Sequence, residues 1–262
     1  MTARGRTPLV TDAKYDGAQW KERMKLLATD VDNTLTGDRA AYSNLIDMLS
    51  MDRDVTIAYV TGRDKIQMFE IMTAECLREP DYLLCNVGTE VYEGPDYRRD
   101  DAWTRHIDRQ WDRLELNQAL ATIPHLFQQS RQFEFKQSYH LFRKADVVIP
   151  EIHRRLNEIG IEHKVVYSSG TDLDVIPKGA GKGEAVNYIR KRLRIRPRSV
   201  LAAGDSGNDI ELLSAGFLAV VVGNHKSELN PDALPDDVYW ARENYAAGII
   251  EGIEHFGFLK PP

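Results

Sequence analysis

Cysteine is scarce in this sequence, which contains only Cys76 and Cys85 among its 262 residues. Neither belongs to a CxxC pair or a Cys/His cluster. A disulfide framework and a zinc site of that kind are therefore excluded, and we expect two buried thiols in a reducing cytoplasm. No apolar run approaches the roughly 18 residues that a membrane span needs. The first 20 residues lack an apolar segment, so we expect no secretory signal there.

Positive charge is also sparse, since the formal charge is -6 and the pI about 5.7. The one basic tract, at 189–198, has apolar residues at helical spacing, which favours a solvated helix face over nucleic-acid contact. An acidic protein that binds a phosphate needs local positive charge, which points to a metal ion. The hydrophobic content of 42% is that of a globular protein, and the length suffices for a core domain plus a smaller one.

Strands and helices alternate in the first and last parts of the chain. Apolar runs that do not alternate with polar residues end at Asp30, at Thr61 and at Gly204, and residues with helical spacing follow them. Buried strands separated by helices are typical of α/β proteins. The pattern therefore predicts a doubly wound parallel sheet that is covered on both faces.

The middle of the chain has a different pattern. Apolar and polar residues alternate around 133–142, which indicates a sheet with one exposed face. We therefore predict a catalytic core at 23–93 and 177–262, interrupted by an inserted α+β cap at 94–176. A polar extension at 1–22 precedes the core.

An acid pair, Asp30 and Asp32, follows the first predicted strand. In parallel α/β sheets, ligands bind beyond the carboxyl ends of the strands. One carboxylate can attack phosphorus and form an aspartyl-phosphate. The other can protonate the leaving oxygen and then activate water. Because Asp also favours caps and turns, a simple turn cluster is the alternative.

Two further blocks supply groups that suit a phosphate. Thr61, Gly62 and Arg63 offer a hydroxyl, an uncrowded backbone amide and a guanidinium at a strand end. Lys182, which opens a predicted helix, can offset the charge on a nucleophile and a phosphoryl group. Taken alone, each block is also explained by a turn that starts a helix.

A glycine-rich acidic loop, Gly204 to Asp209, follows a later strand. Its two carboxylates, Asp205 and Asp209, and the amide of Asn208 suit a hard cation that is held by oxygen atoms. An acidic turn without a ligand is the alternative.

In this order the four blocks resemble those of the haloacid dehalogenase superfamily. The resemblance implies that Asp30 is the nucleophile and a metal ligand, that Asp32 is the acid/base with its carbonyl on the metal, and that Asp205 binds Mg²⁺. The implied phosphate contacts are Thr61, Gly62, Arg63, Lys182 and Asn208, with Asp209 in support. An acid at the second position is typical of the phosphatases and phosphomutases of this superfamily and argues against a dehalogenase or a P-type pump.

Several stretches resemble the sucrose-phosphate phosphatase family in particular. They are DVDNTLTG, AYVTGRD, NVGTEVY, KQSYH, YSSGTDLDVIP with GAGKG, and GDSGNDIELL, spread over residues 25 to 256. The resemblance implies a type-2 cap and hydrolysis of a sugar phosphate monoester through an aspartyl-phosphate, with Mg²⁺ as cofactor. Sucrose 6-phosphate is the leading substrate, a sucrose-phosphate synthase-like enzyme is a candidate partner, and neither nucleic acid nor a membrane is implied.

Three alternatives stay open. They are a phosphatase for another glycosyl phosphate, such as mannosylfructose phosphate or a glycosylglycerate phosphate, a phosphomutase, and a non-catalytic sugar-phosphate-binding partner of a synthase. We expect Glu90, Lys136, Tyr139 and His140 to contact the sugar. Tyr139 and His140 point to opposite faces of a strand, so at most one of them faces the site.

Overall fold

The computed structural model describes residues 24–52 and 54–259. The polar extension predicted at 1–22 lies outside the described residues. The strands are β1 (Lys25–Thr29), β2 (Val55–Val60), β3 (Tyr82–Cys85), β4 (Glu90–Glu93), β5 (Arg98–Arg99), β6 (Phe127–Gln128), β7 (Gln137–His140), β8 (His163–Ser168), β9 (Asp172–Pro177), β10 (Val200–Gly204), β11 (Leu218–Val221) and β12 (Tyr239–Trp240). The helices are α1 (Arg39–Ser50), α2 (Lys65–Ala74), α3 (Asp101–Ile107), α4 (Arg113–Leu120), α5 (Ala145–Glu158), α6 (Lys182–Leu193), α7 (Ile210–Leu213) and α8 (Tyr245–Phe256). None of the helices in this part of the chain has the length and hydrophobicity of a membrane span.

The larger sheet has eight strands in the order β12-β11-β10-β1-β2-β3-β4-β5. Pairing is parallel from β12 to β3 and antiparallel from β3 to β5. Each face of the sheet has its own apolar core, since Leu27 packs on one side of β1 and Leu26 and Ala28 on the other. The prediction of a parallel sheet covered on both faces is therefore confirmed, and β1 lies at its centre.

The smaller sheet has four antiparallel strands in the order β6-β7-β9-β8. The helices α4 and α5 cover one face, where Tyr139, Leu173 and Val175 share a buried cluster with helix residues such as Ile152. Side chains alternate along a strand, so the residues next to these three in their strands, such as Ser138 and Asp174, belong to the opposite face. That face has polar residues, and no helix within 24–52 or 54–259 covers it, as the alternation around 133–142 predicts.

The predicted start of the insertion at residue 94 does not coincide with the start of the smaller sheet. The strand β5 pairs with β4 in the larger sheet. Trp103 of α3 packs in the core of that sheet and its indole N–H donates to Gly88 O at 3.2 Å. This buried aromatic residue ties α3 to the core, so the elements of the smaller sheet and its helices begin at Arg113. The division into core and cap stays a prediction.

Gly88 provides a test of how closely the core segments approach each other. Its φ is +77°, and a Cβ atom there would lie 2.3 Å from Gly181 O and 2.9 Å from Lys182 N. We expect Gly88→Ala to lower the free energy of unfolding by about 2–4 kcal/mol, because left-handed strain and overpacking add. Gly160 has the same φ but no atom within 4 Å of a Cβ, so Gly160→Ala should cost only about 1 kcal/mol. Urea denaturation measures both, and equal losses would contradict the close approach.

Candidate active site

The predicted core residues converge at the carboxyl edge of the larger sheet. Asp30, Thr61 and Asp205 directly follow the adjacent strands β1, β2 and β10, and Lys182 is the first residue of α6. All four are buried. Parallel strands end at the same edge of a sheet, which is why side chains far apart in sequence meet here.

The ammonium group of Lys182 lies at the centre of this cluster. It is fully buried and donates to Asp30 Oδ1 at 2.7 Å, to Asp209 Oδ1 at 2.7 Å and to Asn208 Oδ1 at 2.8 Å. Burial lowers the pKa of Lys182, but the carboxylates of Asp209 and Asp30 outweigh it and the net shift is upward. The lysine therefore stays charged and holds Asp30 in one orientation.

Three carboxylates face this one ammonium. Oxygen atoms of Asp30, Asp205 and Asp209 all lie within 4.8 Å of one another. Burial raises the pKa of Asp30 well above its usual value, and it raises the pKa of Asp205 to about 6, with Asp209 adding to both shifts. Buried carboxylates that exceed their cationic partners, all offering oxygen, fit a hard metal ion. The donor set therefore suits the ion that the sequence predicts.

Asp209 organises the acidic loop. Its Oδ2 accepts from the backbone N–H groups of Asp205 and Ser206 at 3.1 Å each, while its Oδ1 binds Lys182. The hydroxyl of Thr34 donates to Asp205 Oδ1 at 3.1 Å. Asp209 thus holds the main chain at Asp205 and Ser206, while Thr34 holds the Asp205 carboxylate. The supporting role of Asp209 stays a prediction.

Asp32 and Arg63 form a pair at the mouth of the site. Arg63 Nε and Nη2 donate to the two carboxylate oxygens of Asp32 at 2.7 Å each. Both side chains are more than one-third exposed. The carboxylate of Asp32 is thus separate from the buried acids, and Arg63, predicted on phosphate, bonds to it. The sequence gives no signal for this pairing, because the two residues lie on different strand ends and the rotamers decide it.

The predicted phosphate loop lies against the acidic loop. Thr61 is buried, and its hydroxyl oxygen accepts from the N–H of Arg63 at 3.1 Å. A Cβ atom on Gly62 would lie 3.9 Å from Asn208 Nδ2. The structure therefore brings together Thr61, Gly62 and Asn208 with the lysine and the acids.

Of the candidates for sugar contact, Lys136 reaches the core most directly. It is buried, its Nζ donates to Gly62 O at 3.0 Å, and it lies over the Phe133 ring at 5.3 Å. The open face of the smaller sheet therefore contacts the phosphate loop through this lysine.

Tyr139 and His140 are on opposite faces, as expected. Tyr139 lies in the buried cluster under α4 and α5, its hydroxyl donates to Asn117 Oδ1 at 3.1 Å, and burial raises its pKa to about 12. The structure thus places Tyr139 away from the site. His140 is half-exposed, and its Nδ1 lies 3.4 Å from Gln129 Nε2 and 3.5 Å from Asp172 Oδ1. Gln129 Nε2 also donates to Asp172 Oδ1 at 3.2 Å.

Glu90 lies at the start of β4 and accepts from Asn86 Nδ2 and from the Tyr92 hydroxyl at 3.0 Å each. It is not among the groups that contact Lys182.

A further polar pair lies on the open face of the smaller sheet, where Ser138 donates to Asp174 Oδ1 at 2.5 Å. The alternation in the sequence predicts that Ser138 shares a face with His140, but no pattern in the sequence predicts its pairing with Asp174.

Several proteins of similar sequence and structure are named as phosphatases. The family model for sucrose-6F-phosphate phosphohydrolase matches residues 23–257. Sucrose-phosphatase 1 from Nicotiana tabacum is 36% identical over 213 residues, which are 76% of this chain and 50% of that protein, so the chain spans about half the length of this relative. Mannosylfructose-phosphate phosphatase from Agrobacterium fabrum is 29% identical over 91% of this chain and 98% of that protein. The crystal structure of the sucrose-phosphatase from Synechocystis sp. in complex with sucrose and phosphate has a TM-score of 0.85 and 35% identity, covering 91% of this chain and all of that chain.

Because three buried carboxylates face one ammonium group, we expect a bound metal ion to raise the free energy of unfolding. Because burial raises the pKa of Asp205 to about 6, its charge destabilises the metal-free protein at pH 8. Asp205→Asn should therefore raise the unfolding free energy in excess chelator by about 1–3 kcal/mol. Added Mg²⁺ should raise the Tm of the wild type but hardly that of Asp205→Asn.

Thermal melts with and without Mg²⁺ measure both effects. The exposed Asp236 supplies the control, since Asp236→Asn removes the same charge outside the cluster and should leave the response to Mg²⁺ intact. An equal Mg²⁺ response in Asp205→Asn and the wild type would show that Asp205 does not bind the ion.

Proposed function

The chain belongs to the sucrose-6F-phosphate phosphohydrolase family of the haloacid dehalogenase superfamily, and we propose that it hydrolyses a sugar phosphate monoester, with sucrose 6-phosphate as its substrate. The contact between Lys182 Nζ and Asp30 Oδ1 at 2.7 Å carries the proposal. A buried carboxylate held in place by a buried ammonium is poised to attack an anionic phosphoryl group, which would otherwise repel it.

The first step is in-line attack by the Asp30 carboxylate on phosphorus. The new bond joins its oxygen to phosphorus while the bond from phosphorus to the sugar oxygen breaks. The leaving oxygen takes a proton from the carboxylic acid form of Asp32, so the free sugar departs as an alcohol and Asp32 becomes a carboxylate. In the second step this carboxylate removes a proton from water and the water oxygen attacks phosphorus. The bond from phosphorus to the Asp30 oxygen breaks, which releases inorganic phosphate and restores the carboxylate of Asp30.

Arg63 has a part in placing Asp32. Its bidentate bond aims the carboxylate at the mouth of the site. The phosphate of an incoming substrate competes for the same guanidinium, since Arg binds both groups in the same geometry. Exchange of the guanidinium from carboxylate to phosphate frees Asp32 to take up a proton and pass it to the leaving oxygen only when substrate is bound.

Asp30, Asp205 and the backbone carbonyl of Asp32 are the groups that would hold the metal ion, which we propose to be Mg²⁺. When bound, this ion neutralises charge on the phosphoryl oxygens and on the attacking carboxylate. Thr61, Gly62 and Asn208 border the same space and supply hydroxyl and amide donors to phosphate. Asp209 connects Lys182 to the acidic loop, because one of its oxygens accepts from Lys182 Nζ and the other from the N–H of Asp205.

The open face of the smaller sheet would meet the sugar. We assign the smaller sheet and its helices, which lie within the predicted insertion at 94–176 and begin at Arg113, to a cap that selects the substrate, because Lys136 from this part already contacts the phosphate loop. Ser138, Asp174 and His140 add polar groups on the same face. Mannosylfructose phosphate is the second candidate substrate, since the relative named for it aligns over nearly its whole length.

Release of inorganic phosphate from a substrate panel tests the proposal. The panel contains sucrose 6-phosphate, mannosylfructose phosphate, a glycosylglycerate phosphate and p-nitrophenyl phosphate. We expect the highest kcat/KM on sucrose 6-phosphate. Transfer of the phosphoryl group to another sugar position, without release, would identify a phosphomutase, and no turnover of any compound would identify a binding protein.

Asp30→Asn removes the nucleophile and keeps its shape and its bond to Lys182. We expect kcat to fall by ~10³-fold or more on every substrate in the panel, the scale of removing a residue that forms a covalent intermediate. The measurement is steady-state phosphate release from folded protein, verified by a thermal melt. Near-normal kcat in Asp30→Asn would remove Asp30 from the nucleophile role.

Lys136→Met tests whether the cap selects the sugar. A buried polar partner left unmatched costs ~1–3 kcal/mol, so KM for the disaccharide phosphate should rise roughly ten- to hundredfold. Hydrolysis of p-nitrophenyl phosphate, which has no sugar, should stay close to wild type.

Lys178 is the matched control, because it is an exposed lysine next to the same sheet that pairs with Glu162, and Lys178→Met should change neither activity. Equal loss of both activities in Lys136→Met would place Lys136 with the chemistry or with closure of the cap rather than with sugar selection.

A further inference from the structure

The short segment Lys226 to Glu228 lies between the acidic loop and the hairpin formed by β8 and β9. On the side of the acidic loop, Lys226 N donates to Asp205 O at 2.8 Å. Glu228 Oε1 accepts from Gly207 N at 2.6 Å. The segment therefore binds the main chain of the loop on both sides of Ser206.

The same two residues bind the turn of the hairpin. Glu228 accepts from the N–H of Ser169, at 2.9 Å through Oε2 and at 3.1 Å through Oε1. Lys226 Nζ donates to Ser169 Oγ at 2.7 Å. One carboxylate thus receives backbone hydrogen bonds from two segments that belong to different sheets.

Gly207 shows how close these segments are. A Cβ atom there would lie 3.0 Å from Glu228 Oε1 and 3.1 Å from Tyr167 O in β8. A larger residue would push the hairpin or the carboxylate away. The contact is therefore a tight three-way junction.

Hydrogen bonds from N–H groups to a carboxylate are about twice as strong as neutral ones. If the hairpin moves away from the core, the Ser169 bond breaks and the carboxylate is no longer held over Gly207. That loop carries Asp205, Asn208 and Asp209. The position of the hairpin is in this way coupled to the loop that completes the acid cluster.

We propose that Glu228 is a positioning residue that ties the β8–β9 hairpin of the cap to the acidic loop, so that the loop is fully ordered only when the cap is in place. The tie itself follows from the contacts alone. Its consequence for turnover rests on the proposed function.

Amide hydrogen exchange measured by NMR tests the tie without any substrate. In Glu228→Ala, the Ser169 and Gly207 amides should both exchange at least tenfold faster than in the wild type. Ser169→Ala removes the hydroxyl that binds Lys226 but keeps both backbone bonds to Glu228, so it is the matched control and should leave the exchange of Gly207 unchanged. Glu228→Gln keeps one accepting oxygen and should fall between wild type and Glu228→Ala.

A kinetic measurement tests positioning. With p-nitrophenyl phosphate as substrate, Glu228→Ala should raise the Mg²⁺ concentration for half-maximal activity roughly tenfold, as outer residues that orient metal ligands do. Ser169→Ala should not change it. With the sugar phosphate, Glu228→Ala should also raise KM, because the hairpin is part of the cap.

Unchanged exchange of the Ser169 and Gly207 amides in Glu228→Ala would overturn the proposal. Faster exchange with an unchanged Mg²⁺ requirement would also overturn it, since the tie would then not position the loop. If exchange responds as expected but the wild type releases no phosphate from any sugar phosphate, the tie stands and the proposed function fails.

Discussion

The buried ammonium of Lys182 is the interaction on which the site depends. Asp30 and Asp205 follow two strands and Asp209 lies in the acidic loop, and their carboxylates repel each other when they are buried away from water. An unpaired buried charge costs several kcal/mol. Lys182 bonds to Asp30 and Asp209 at 2.7 Å, which lets both stay in the interior. Its own place depends on Gly181, whose φ of +129° and missing side chain let α6 begin beside Glu211.

The two sheets would divide the proposed chemistry from the recognition of the substrate. The larger sheet collects the acids, the lysine and the hydroxyl at one edge, where these groups would contact only what all phosphate esters share. The smaller sheet turns a polar face toward that edge and touches it through Lys136 on one side and through the contact of Ser169 with Glu228 on the other. A substrate held between the sheets would have its phosphate against the charged groups of the larger sheet and its sugar hydroxyls against the polar face of the smaller sheet.

The residues at strand ends could be predicted from sequence, because apolar runs mark the strands and the groups that follow them carry recognisable chemistry. Asp30, Thr61 and Asp205 follow predicted strands, Lys182 opens a predicted helix, and the structure brings all four together. The pairing of Arg63 with Asp32 and the junction at Glu228 could not be found, since side-chain rotamers and long-range packing decide both. The placement of β5 and α3 with the larger sheet depends on Trp103, whose indole N–H donates to Gly88 O. No sequence pattern predicts that Trp103 and Gly88 are in contact.

The covalent role of Asp30 is the central claim, and chemical trapping tests it most directly. The enzyme is mixed with sugar phosphate, quenched in acid during turnover and treated with borohydride, which reduces an acyl phosphate to an alcohol. Peptide mass spectrometry should then find homoserine at position 30 and aspartate at positions 32, 205 and 209. Unmodified Asp30 in protein quenched at full turnover, or homoserine at another of these positions, would contradict the account.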